Sequence, residues 1–382
     1  MDSNTSYNFP EILSSFELEG SIAEIKPFGS GHINSTFYLK NAGKDRPDYL
    51  LQRINHYVFK DVAALSNNIK LVTDHLRSKL SLQQNADPQA EVLNMLPAKN
   101  GLYYHKDDQG NYWRIYHYLK GTKSYDLLET AQQAYEGGKA FGRFQALLAD
   151  MDSSLLAETI PNFHNIEYRL DNFNRALEKD PLSRSKECVQ EIDFINARTQ
   201  TMCTILNLGR QGKLPVRITH NDTKFNNVLL DQDDKAQCVI DLDTVMPGYT
   251  AYDFGDAIRT IINTAEEDEK DLSRIGLNID LFKAYTRGYL SETINFLSTE
   301  ELKALIYGAL LLPYMQAVRF LTDHLDGDNY FKIHFPGHNL QRARAQLQLL
   351  KKLEENQELL ESLIYEIADE FKVSKEERGI NE

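Results

Sequence analysis

The chain has 382 residues, a formal net charge of −14 and 42% hydrophobic residues. This length exceeds what one compact core usually holds, so we expect two lobes, and the apolar content is sufficient for their cores. The acidic balance argues against a nucleic-acid backbone or an anionic membrane as the main partner.

The cysteine pattern and the lack of a targeting signal bear on the compartment. Cys188, Cys203 and Cys238 show neither a paired nor a metal-binding spacing, which fits a reducing compartment. No basic or apolar signal region opens the sequence. The longest apolar stretch, Ala309 to Met315, is short and contains a proline, so we expect no membrane span. We predict a soluble, cytoplasmic protein; monomer and dimer both stay open.

The N-terminal part has the pattern of several strands around one helix. Ile22 to Leu39 predicts a strand, a glycine turn and a second strand, and Tyr49 to Ile54 predicts a third. Apolar residues recur every three or four positions from Val58 to Leu80, which indicates an amphipathic helix. Further strands are predicted around 92–96 and over 112–119. Residues 1–118 therefore form a small α+β lobe.

The glycine turn consists of Gly29, Ser30 and Gly31. Glycines let a backbone approach phosphates closely, and Ser30 and the exposed amides could donate hydrogen bonds to them. A G-x-G between strands is, however, more often a simple hairpin turn. No Walker-type loop is present.

The remainder, residues 119–382, is mainly helical by its periodicity. Helices are predicted over 131–150, 165–179, 186–210, 254–264, 278–296, 300–325 and 340–371. The last stretch fits core packing, although part of it could form a dimer face. The predicted fold class is α+β, with a small β-rich N-terminal lobe and a larger, mainly helical C-terminal lobe.

Within the helical part, His220, Asp222 and Asn227 follow the spacing H-x-D-x-x-x-x-N. This spacing is typical of a phosphoryl-transfer loop, in which the aspartate receives the proton of the acceptor hydroxyl and the asparagine binds magnesium. A second apolar run follows and ends in Asp241 and Asp243.

The two apolar runs, 228–230 and 238–240, predict a hairpin. If they pair in the simplest register, Asn227 lies opposite Asp241, at a Cα separation of about 5.5 Å or less. Amide and carboxylate oxygens are ligands that Mg²⁺ accepts. Polar residues at a hairpin mouth are more often turn residues, but here both halves occur in order and in a compatible register.

These motifs resemble those of the aminoglycoside phosphotransferase and choline kinase-like superfamily, a branch of the protein-kinase-like fold. The resemblance rests on His220 to Asp222, Asn227 and Ile240 to Asp243, after a β-rich lobe. Further stretches are similar to N-acetylhexosamine 1-kinases, which use ATP to phosphorylate the anomeric hydroxyl of N-acetylglucosamine or N-acetylgalactosamine. These stretches are 51–55, 160–164, 241–248, 319–324 and 330–332.

The resemblance implies roles for the hairpin residues. Asp222 would be the catalytic base and contact the acceptor, and Asn227 and Asp241 would hold Mg²⁺. Asp243 would be either a second metal ligand or a hydrogen-bonded structural partner. His220 would brace the loop. The segment Asp253 to Gly255 resembles the metal-binding triplet of kinases. The place of Asp253 at the start of a predicted helix, however, favours a structural N-cap.

The nucleotide site departs from the kinase pattern. The strand that should carry a phosphate-binding lysine has Gln52 and Arg53, and the next helix has no glutamate to pair with it. Arg53 or the amides of the turn Gly29 to Gly31 would contact phosphates instead. Backbone groups near His117, Tyr118 and Leu119 would bind adenine. Residues 1–118 are therefore expected to bind the nucleotide.

For the sugar, the resemblance points to Arg319, Tyr330 and His32. Arginine and tyrosine supply fixed donors and an aromatic face, although Arg319 could also be a surface or ion-paired residue. The expected ligands are ATP, Mg²⁺ and a small sugar, with no nucleic acid. Two rival functions stay open: a kinase for an amino alcohol, a homoserine-like acceptor or an aminoglycoside, and a nucleotide-binding pseudokinase.

Overall fold

The computed structural model describes residues 7–29, 33–128 and 130–376. The chain forms two compact units, and each is described by itself. The first unit comprises Met1–Thr122, Ser154–Pro161 and Gln237–Met246, and the second comprises Lys123–Ser153, Asn162–Ala236 and Pro247–Glu382. The expected division after residue 118 stays a prediction.

The strands and helices follow one another along the chain in the expected pattern. The strands are β1 (Ile22–Pro27), β2 (Ser35–Asn41), β3 (Tyr49–Ile54), β4 (Met95–Leu96), β5 (His105–Lys106), β6 (Tyr112–His117), β7 (Arg217–Thr219), β8 (Val228–Leu230), β9 (Ala236–Val239) and β10 (Met246–Gly248). The helices are α1 (Phe9–Ser14), α2 (Val62–Leu80), α3 (Pro88–Glu91), α4 (Ala131–Leu148), α5 (Ile166–Lys179), α6 (Val189–Asn196), α7 (Thr199–Met202), α8 (Thr204–Arg210), α9 (Thr250–Ile261), α10 (Ile279–Thr293), α11 (Thr299–Asp326), α12 (His338–Glu355) and α13 (Gln357–Glu376).

The first unit is built on an antiparallel sheet in the order β1-β2-β3-β6-β4, with β5 also paired to β6. One face of its strands carries Leu39, Leu51, Trp113 and Ile115, which are buried together in its core. Because side chains alternate along a strand, the residues between them lie on the opposite face. Two short two-stranded sheets pair β7 with β10 and β8 with β9, and the second of these is the predicted hairpin.

Helix α11 is central to the core of the second unit. It runs for 28 residues with Pro313 inside it, close to the helix predicted over 300–325. By length and composition α11 could cross a membrane, but 83% of its most apolar window is buried within the protein. Such burial is typical of a core helix, and Leu312, Pro313 and Tyr314 are all buried.

The structure confirms the α+β class, with a small antiparallel sheet in the N-terminal region and a larger helical C-terminal region. Two helical predictions were too coarse. Residues 186–210 contain α6, α7 and α8 rather than one helix, and the C-terminal stretch divides at Asn356 into α12 and α13. Periodicity continues across such short breaks, so the pattern alone does not locate them.

Candidate catalytic site

The loop that contains Asp222 connects β7 to a short 3₁₀ turn, Phe225–Asn227, which leads into β8. Asn221 has a φ of 64°. This left-handed conformation is uncommon for residues other than glycine but is tolerated by asparagine. The Asn221 side chain accepts a hydrogen bond from Thr219 Oγ1 at 3.0 Å. The loop therefore turns sharply just before Asp222.

The buried carboxylate of Asp253 holds this turn. It accepts hydrogen bonds from the backbone N–H groups of His220 at 2.8 Å and Asn221 at 2.7 Å. Gln145 Nε2 donates a third at 2.7 Å. Burial raises the pKa of Asp253, and these donors oppose that effect. The carboxylate oxygens are thus engaged in bracing the loop.

The position of Asp253 within its helix differs from the expectation. Helix α9 begins at Thr250 and Tyr249 is its N-cap, so the predicted N-cap role of Asp253 was wrong. The helix starts four residues earlier than its apolar pattern indicated. Asp253 therefore lies inside the first turn, and its side chain bonds to the loop instead of to its own helix.

A second buried carboxylate, Asp256, supports the other end of the loop. It accepts a hydrogen bond from the Thr223 N–H at 3.0 Å and pairs with Arg259 at 2.9 Å. Arg259 also pairs with Glu267 at 2.7 Å. Burial is the largest influence and favours protonation of Asp256, but the charge of Arg259, the charge of Lys224 and the hydrogen bond from Arg259 together lower its pKa. Asp256 therefore stays ionised.

Asp222 itself is partly open to solvent, with 27% of its side chain exposed. Lys224 Nζ lies 3.4 Å from one carboxylate oxygen, and the negative charge of Asp222 raises the pKa of Lys224. Asn227 Nδ2 donates to the other oxygen at 3.2 Å and to the Asp222 carbonyl at 2.9 Å. The structure thus brings Asp222 and Asn227 together as predicted, and it adds Lys224.

The ring of His220 is fully buried against the edges of Phe141 and Phe144, with ring centroids 5.4 and 5.8 Å away. Its Nδ1 accepts a hydrogen bond from the Asp222 N–H at 3.3 Å. The His220 side chain therefore hydrogen-bonds to the loop backbone, and its role as a bracing residue stays a prediction.

His164 is a loop contact that the sequence did not reveal. Its Nε2 lies 3.3 Å from the Asn221 carbonyl oxygen, and its Nδ1 is buried without a hydrogen-bond partner in the described part of the chain. Burial lowers the pKa of His164 to about 4, opposed by Asp256 and assisted by Arg319 and Arg169. His164 is therefore neutral near pH 7.

In the first unit, the Asp243 carboxylate forms a two-pronged ion pair with the buried guanidinium of Arg114, at 2.5 and 2.9 Å. Asn34 Nδ2 donates to the same carboxylate at 2.6 Å. Burial favours the neutral form of Arg114, but Asp243 outweighs burial and raises its pKa. These bonds favour a structural role for Asp243 over that of a metal ligand.

Gln52 and Arg53 lie on opposite faces of β3, so the structure does not bring these two predicted nucleotide-binding residues together. Gln52 faces Arg114 in the register of β3 and β6 and accepts a hydrogen bond from its Nε at 3.0 Å. Arg53 instead lies 5.5 Å from the ring of Tyr7. Arg114 is thus the buried cation on the Gln52 face.

The remaining nucleotide-binding predictions are only partly visible. Gly29 has a φ of 78°, and a Cβ at this position would meet no described atom within 4 Å, whereas Ser30, Gly31 and His32 lie outside the described residues. The N–H groups of His117 and Tyr118 donate to backbone carbonyls, both at 2.9 Å. The Leu119 carbonyl accepts a hydrogen bond from Thr122 Oγ1 at 2.9 Å, and the adenine contact of this segment stays a prediction.

Two of the predicted magnesium ligands have side chains that fit the role. Asp241 is exposed and adopts a φ of 59°. Asn227 uses its amide nitrogen for hydrogen bonds, which directs its oxygen, the atom that binds metals, away from Asp222. Asn227 belongs to the second unit and Asp241 to the first, and their joint coordination of a metal stays a prediction.

Arg319 and Tyr330, the predicted sugar contacts, line one cavity of ≈ 370 Å³ in the second unit. Arg319 donates to Gln316 at 2.7 Å, and its guanidinium lies 5.4 Å from the ring centroid of Phe331. Tyr330 is 69% exposed. Both side chains are therefore accessible to a ligand, and the alternative of an ion-paired Arg319 is not what the described residues show.

The sequence offered a weak signal for the missed residues. Arg114 is a single charge in an otherwise apolar and aromatic strand, and such a residue usually needs a buried partner. Its partner is 129 positions away, which the pattern does not reveal. Lys224 lies two residues after Asp222 and could have been named from that proximity.

We expect Arg114→Met to lower the free energy of unfolding by about 3–5 kcal/mol, because it leaves the Asp243 charge buried and unpaired. Denaturant unfolding measures this change. Arg46→Met is the control in the same unit: its ion pair with Glu19 is more than half exposed on both sides and should contribute less than about 1 kcal/mol. Equal effects of both variants would contradict the assignment.

We expect Asp253→Asn to reduce the free energy of unfolding by about 1–3 kcal/mol, because an amide cannot accept from all three buried donors. Turnover should fall while the Mg²⁺ concentration at half-maximal activity stays the same. Asp280→Asn, an exposed residue in the first turn of α10, should cost less than about 1 kcal/mol. A large rise in the Mg²⁺ requirement would instead identify Asp253 as a metal ligand.

The lowered pKa of His164 predicts a pH dependence. Between its ordinary value near 6.5 and about 4, the unfolded chain binds more protons at this site. Stability should therefore fall as the pH drops through this window, by at most about 1.4 kcal/mol per pH unit. His164→Gln should reduce the difference in unfolding free energy between pH 7 and pH 5, whereas the exposed-site variant His334→Gln should not.

With this geometry established, comparisons with known proteins identify the family. The model of a family described as "Phosphotransferase enzyme family" matches residues 24–291, more than half of the chain. An aminoglycoside phosphotransferase structure from Alicyclobacillus acidocaldarius is similar, with 10% identity, 96% of this chain and 98% of that chain covered, and a TM-score of 0.60.

Two further structures show the same fold. The amicoumacin kinase hAmiN, in complex with AMP-PNP and Ca²⁺, has 13% identity over 90% of this chain and 93% of that chain, with a TM-score of 0.57. A microcompartment-associated aminopropanol kinase has 13% identity over 92% and 97%, with a TM-score of 0.53. At these identities the likeness shows the fold, while the family model shows the membership. The chain belongs to the phosphotransferase enzyme family.

Proposed function

We propose that this phosphotransferase is an ATP- and Mg²⁺-dependent kinase that phosphorylates the anomeric hydroxyl of an N-acetylhexosamine, N-acetylglucosamine or N-acetylgalactosamine. The observation that carries the proposal is the setting of Asp222. Its carboxylate is partly exposed on a loop held by buried carboxylates. A cytoplasmic location belongs to the same proposal.

In the proposed reaction, Asp222 orients the anomeric hydroxyl and accepts its proton. The hydroxyl oxygen forms a bond to the γ-phosphorus of ATP, and the bond from that phosphorus to the bridging oxygen breaks, which releases ADP and the sugar 1-phosphate. Lys224, 3.4 Å from Asp222, supplies a positive charge next to the base that can stabilise the transferring group. Asn227 and Asp241 would hold Mg²⁺, which neutralises phosphate charge when it is bound.

The lining of the acceptor cavity favours a sugar over a cationic acceptor. Arg319 and Tyr330 offer donors and an aromatic face to a polyhydroxylated ring. An amino alcohol or an aminoglycoside would be recognised by carboxylates or an aromatic cage. The cavity instead contains more cations than carboxylates. The pseudokinase alternative loses support because the base and both predicted metal ligands are present.

We expect Asp222→Asn to lower turnover by about 10²–10⁴-fold while the protein remains folded, because the amide cannot accept the proton. ADP release at saturating ATP and sugar measures this, with circular dichroism as the folding check. Asp233→Asn, an exposed carboxylate in the turn of the same hairpin, serves as the control and should retain full turnover.

The acceptor is identified by ADP release with N-acetylglucosamine, N-acetylgalactosamine, choline, homoserine and kanamycin. We expect release with the two amino sugars. Release with only the amine-bearing acceptors would contradict the sugar assignment, and binding of ATP without release for any acceptor would favour the pseudokinase.

A further inference from the structure

The cavity that contains Arg319 is a groove between α5 and α11, both in the second unit. Helix α5 contributes Arg169, Arg175 and Lys179, and α11 contributes Arg319, Asp323 and Asp326. Four cations thus line the groove beside two carboxylates. The groove is thus a local concentration of positive charge in a chain with a net charge of −14. We call this cavity the α5–α11 groove.

The two carboxylates do not neutralise these cations. Asp323 accepts hydrogen bonds from the N–H groups of Asn329, Tyr330 and Phe331 at 2.7–2.9 Å, and Asn339 donates a fourth at 2.8 Å. Its charge is therefore used to fold the segment that follows α11. Asp326 is exposed. In the part of the chain that the structure describes, none of the four cations forms an ion pair with a carboxylate.

The cations have other, weaker partners. Arg169 Nη2 donates to the Phe163 carbonyl at 2.8 Å, and Arg175 donates to Asn172. Arg169 Nε is buried and has no hydrogen-bond partner among the described residues. Burial, followed by the nearby charge of Arg319, lowers the pKa of Arg169 to about 10. The guanidinium groups of Arg169 and Arg319 thus repel each other in a partly buried site, and Arg169 retains an N–H donor without a hydrogen-bond partner among the described residues.

An oxyanion would satisfy these groups. Arginine binds phosphate and carboxylate through paired N–H groups, and charge-assisted hydrogen bonds of this kind are about twice as strong as neutral ones. A neutral ligand would leave the repulsion in place, and a cationic ligand would increase it. The volume of ≈ 370 Å³ falls within the range of about 300–1,000 Å³ that is typical of small-molecule sites.

We propose that the α5–α11 groove binds an oxyanion, a phosphate or a carboxylate group, that is covalently carried by the sugar acceptor. This inference rests on the proposed function, because it places the charged group of the substrate in the cavity that contains Arg319 and Tyr330. The preferred acceptor is then an acidic amino sugar. Its negatively charged group is bound by Arg175 and Lys179 together with Arg169.

The first experiment compares N-acetylglucosamine with its 6-phosphate in the ADP-release assay. We expect kcat/KM to be at least about tenfold higher for the phosphate, which corresponds to about 1.4 kcal/mol. The advantage should shrink between 50 and 500 mM NaCl because salt screens partly exposed charges. The same comparison of kcat/KM between galacturonic acid and galactose tests whether a carboxylate has this effect.

The double variant Arg175→Gln/Lys179→Gln should reduce the preference for the phosphate about tenfold. Both side chains are exposed, so the fold should persist, which circular dichroism checks. Lys351→Gln removes an equally exposed cation on α12, outside the groove, and should leave the preference unchanged. If the double variant keeps the full preference for the phosphate, the groove does not bind the charged group of the acceptor and the inference is wrong.

Calorimetry without ATP separates the possible outcomes. Tighter binding of the sugar phosphate than of inorganic phosphate, weakened in the double variant, supports an acceptor-borne anion. Equal binding of inorganic phosphate overturns it in favour of a free anion. Turnover of neutral sugars without any charge preference overturns the inference but leaves the proposed function standing. Binding of the sugar phosphate without turnover of any sugar supports the groove site and contradicts the proposed function.

Discussion

The candidate site depends on the hydrogen bonds that the buried Asp253 carboxylate accepts from the loop backbone. The loop reverses direction at Asn221, which leaves two successive backbone N–H groups without a partner in regular secondary structure. Both need acceptors because the turn is buried. One carboxylate accepts both, and Gln145, itself bonded to Tyr289 at 2.5 Å, completes its coordination. The helical core of the second unit therefore sets the direction in which the next side chain, Asp222, points. A buried charge is tolerated here because its hydrogen bonds compensate the loss of solvation.

The same arrangement recurs in the first unit. Asp243 is buried and bound by Arg114 and Asn34, while Asp241, two residues earlier, is exposed. In each unit one carboxylate is buried in structural hydrogen bonds, and a carboxylate near it in the sequence is partly or fully exposed. Accessible oxygens can exchange protons or ligands, whereas the fully bonded ones cannot. This division separates Asp253 and Asp243, which are bound in buried hydrogen bonds, from Asp222 and Asp241, which are at least partly exposed.

Much of the fold followed from the sequence because periodicity reports burial directly. The positions of α2, α4, α5, α10 and α11 were predicted to within a few residues. The spacing of Asp222 and Asn227 also assigned both residues to one loop, in which the structure shows them hydrogen-bonded. Long-range partners escaped prediction: Arg114 lies 129 positions from Asp243, and His164 lies 57 positions from Asn221. The N-cap prediction for Asp253 failed because a local pattern cannot distinguish a carboxylate that caps its own helix from one that bonds to a distant loop.

In the proposed function, the α5–α11 groove adds a constraint on the acceptor that the loop does not supply. Phosphoryl transfer to a hydroxyl needs only the base, the metal ligands and the nucleotide, so the loop is compatible with many acceptors. Charge in the groove is more selective. Two like unit charges 4 Å apart at an effective dielectric constant of about 20 repel by about 4 kcal/mol, or close to a thousandfold in affinity. Arg169 and Arg319, which lack carboxylate partners, would impose such a penalty on an amine-bearing acceptor. If the proposed acceptor binds there, specificity depends as much on which ligands the groove repels as on those it binds.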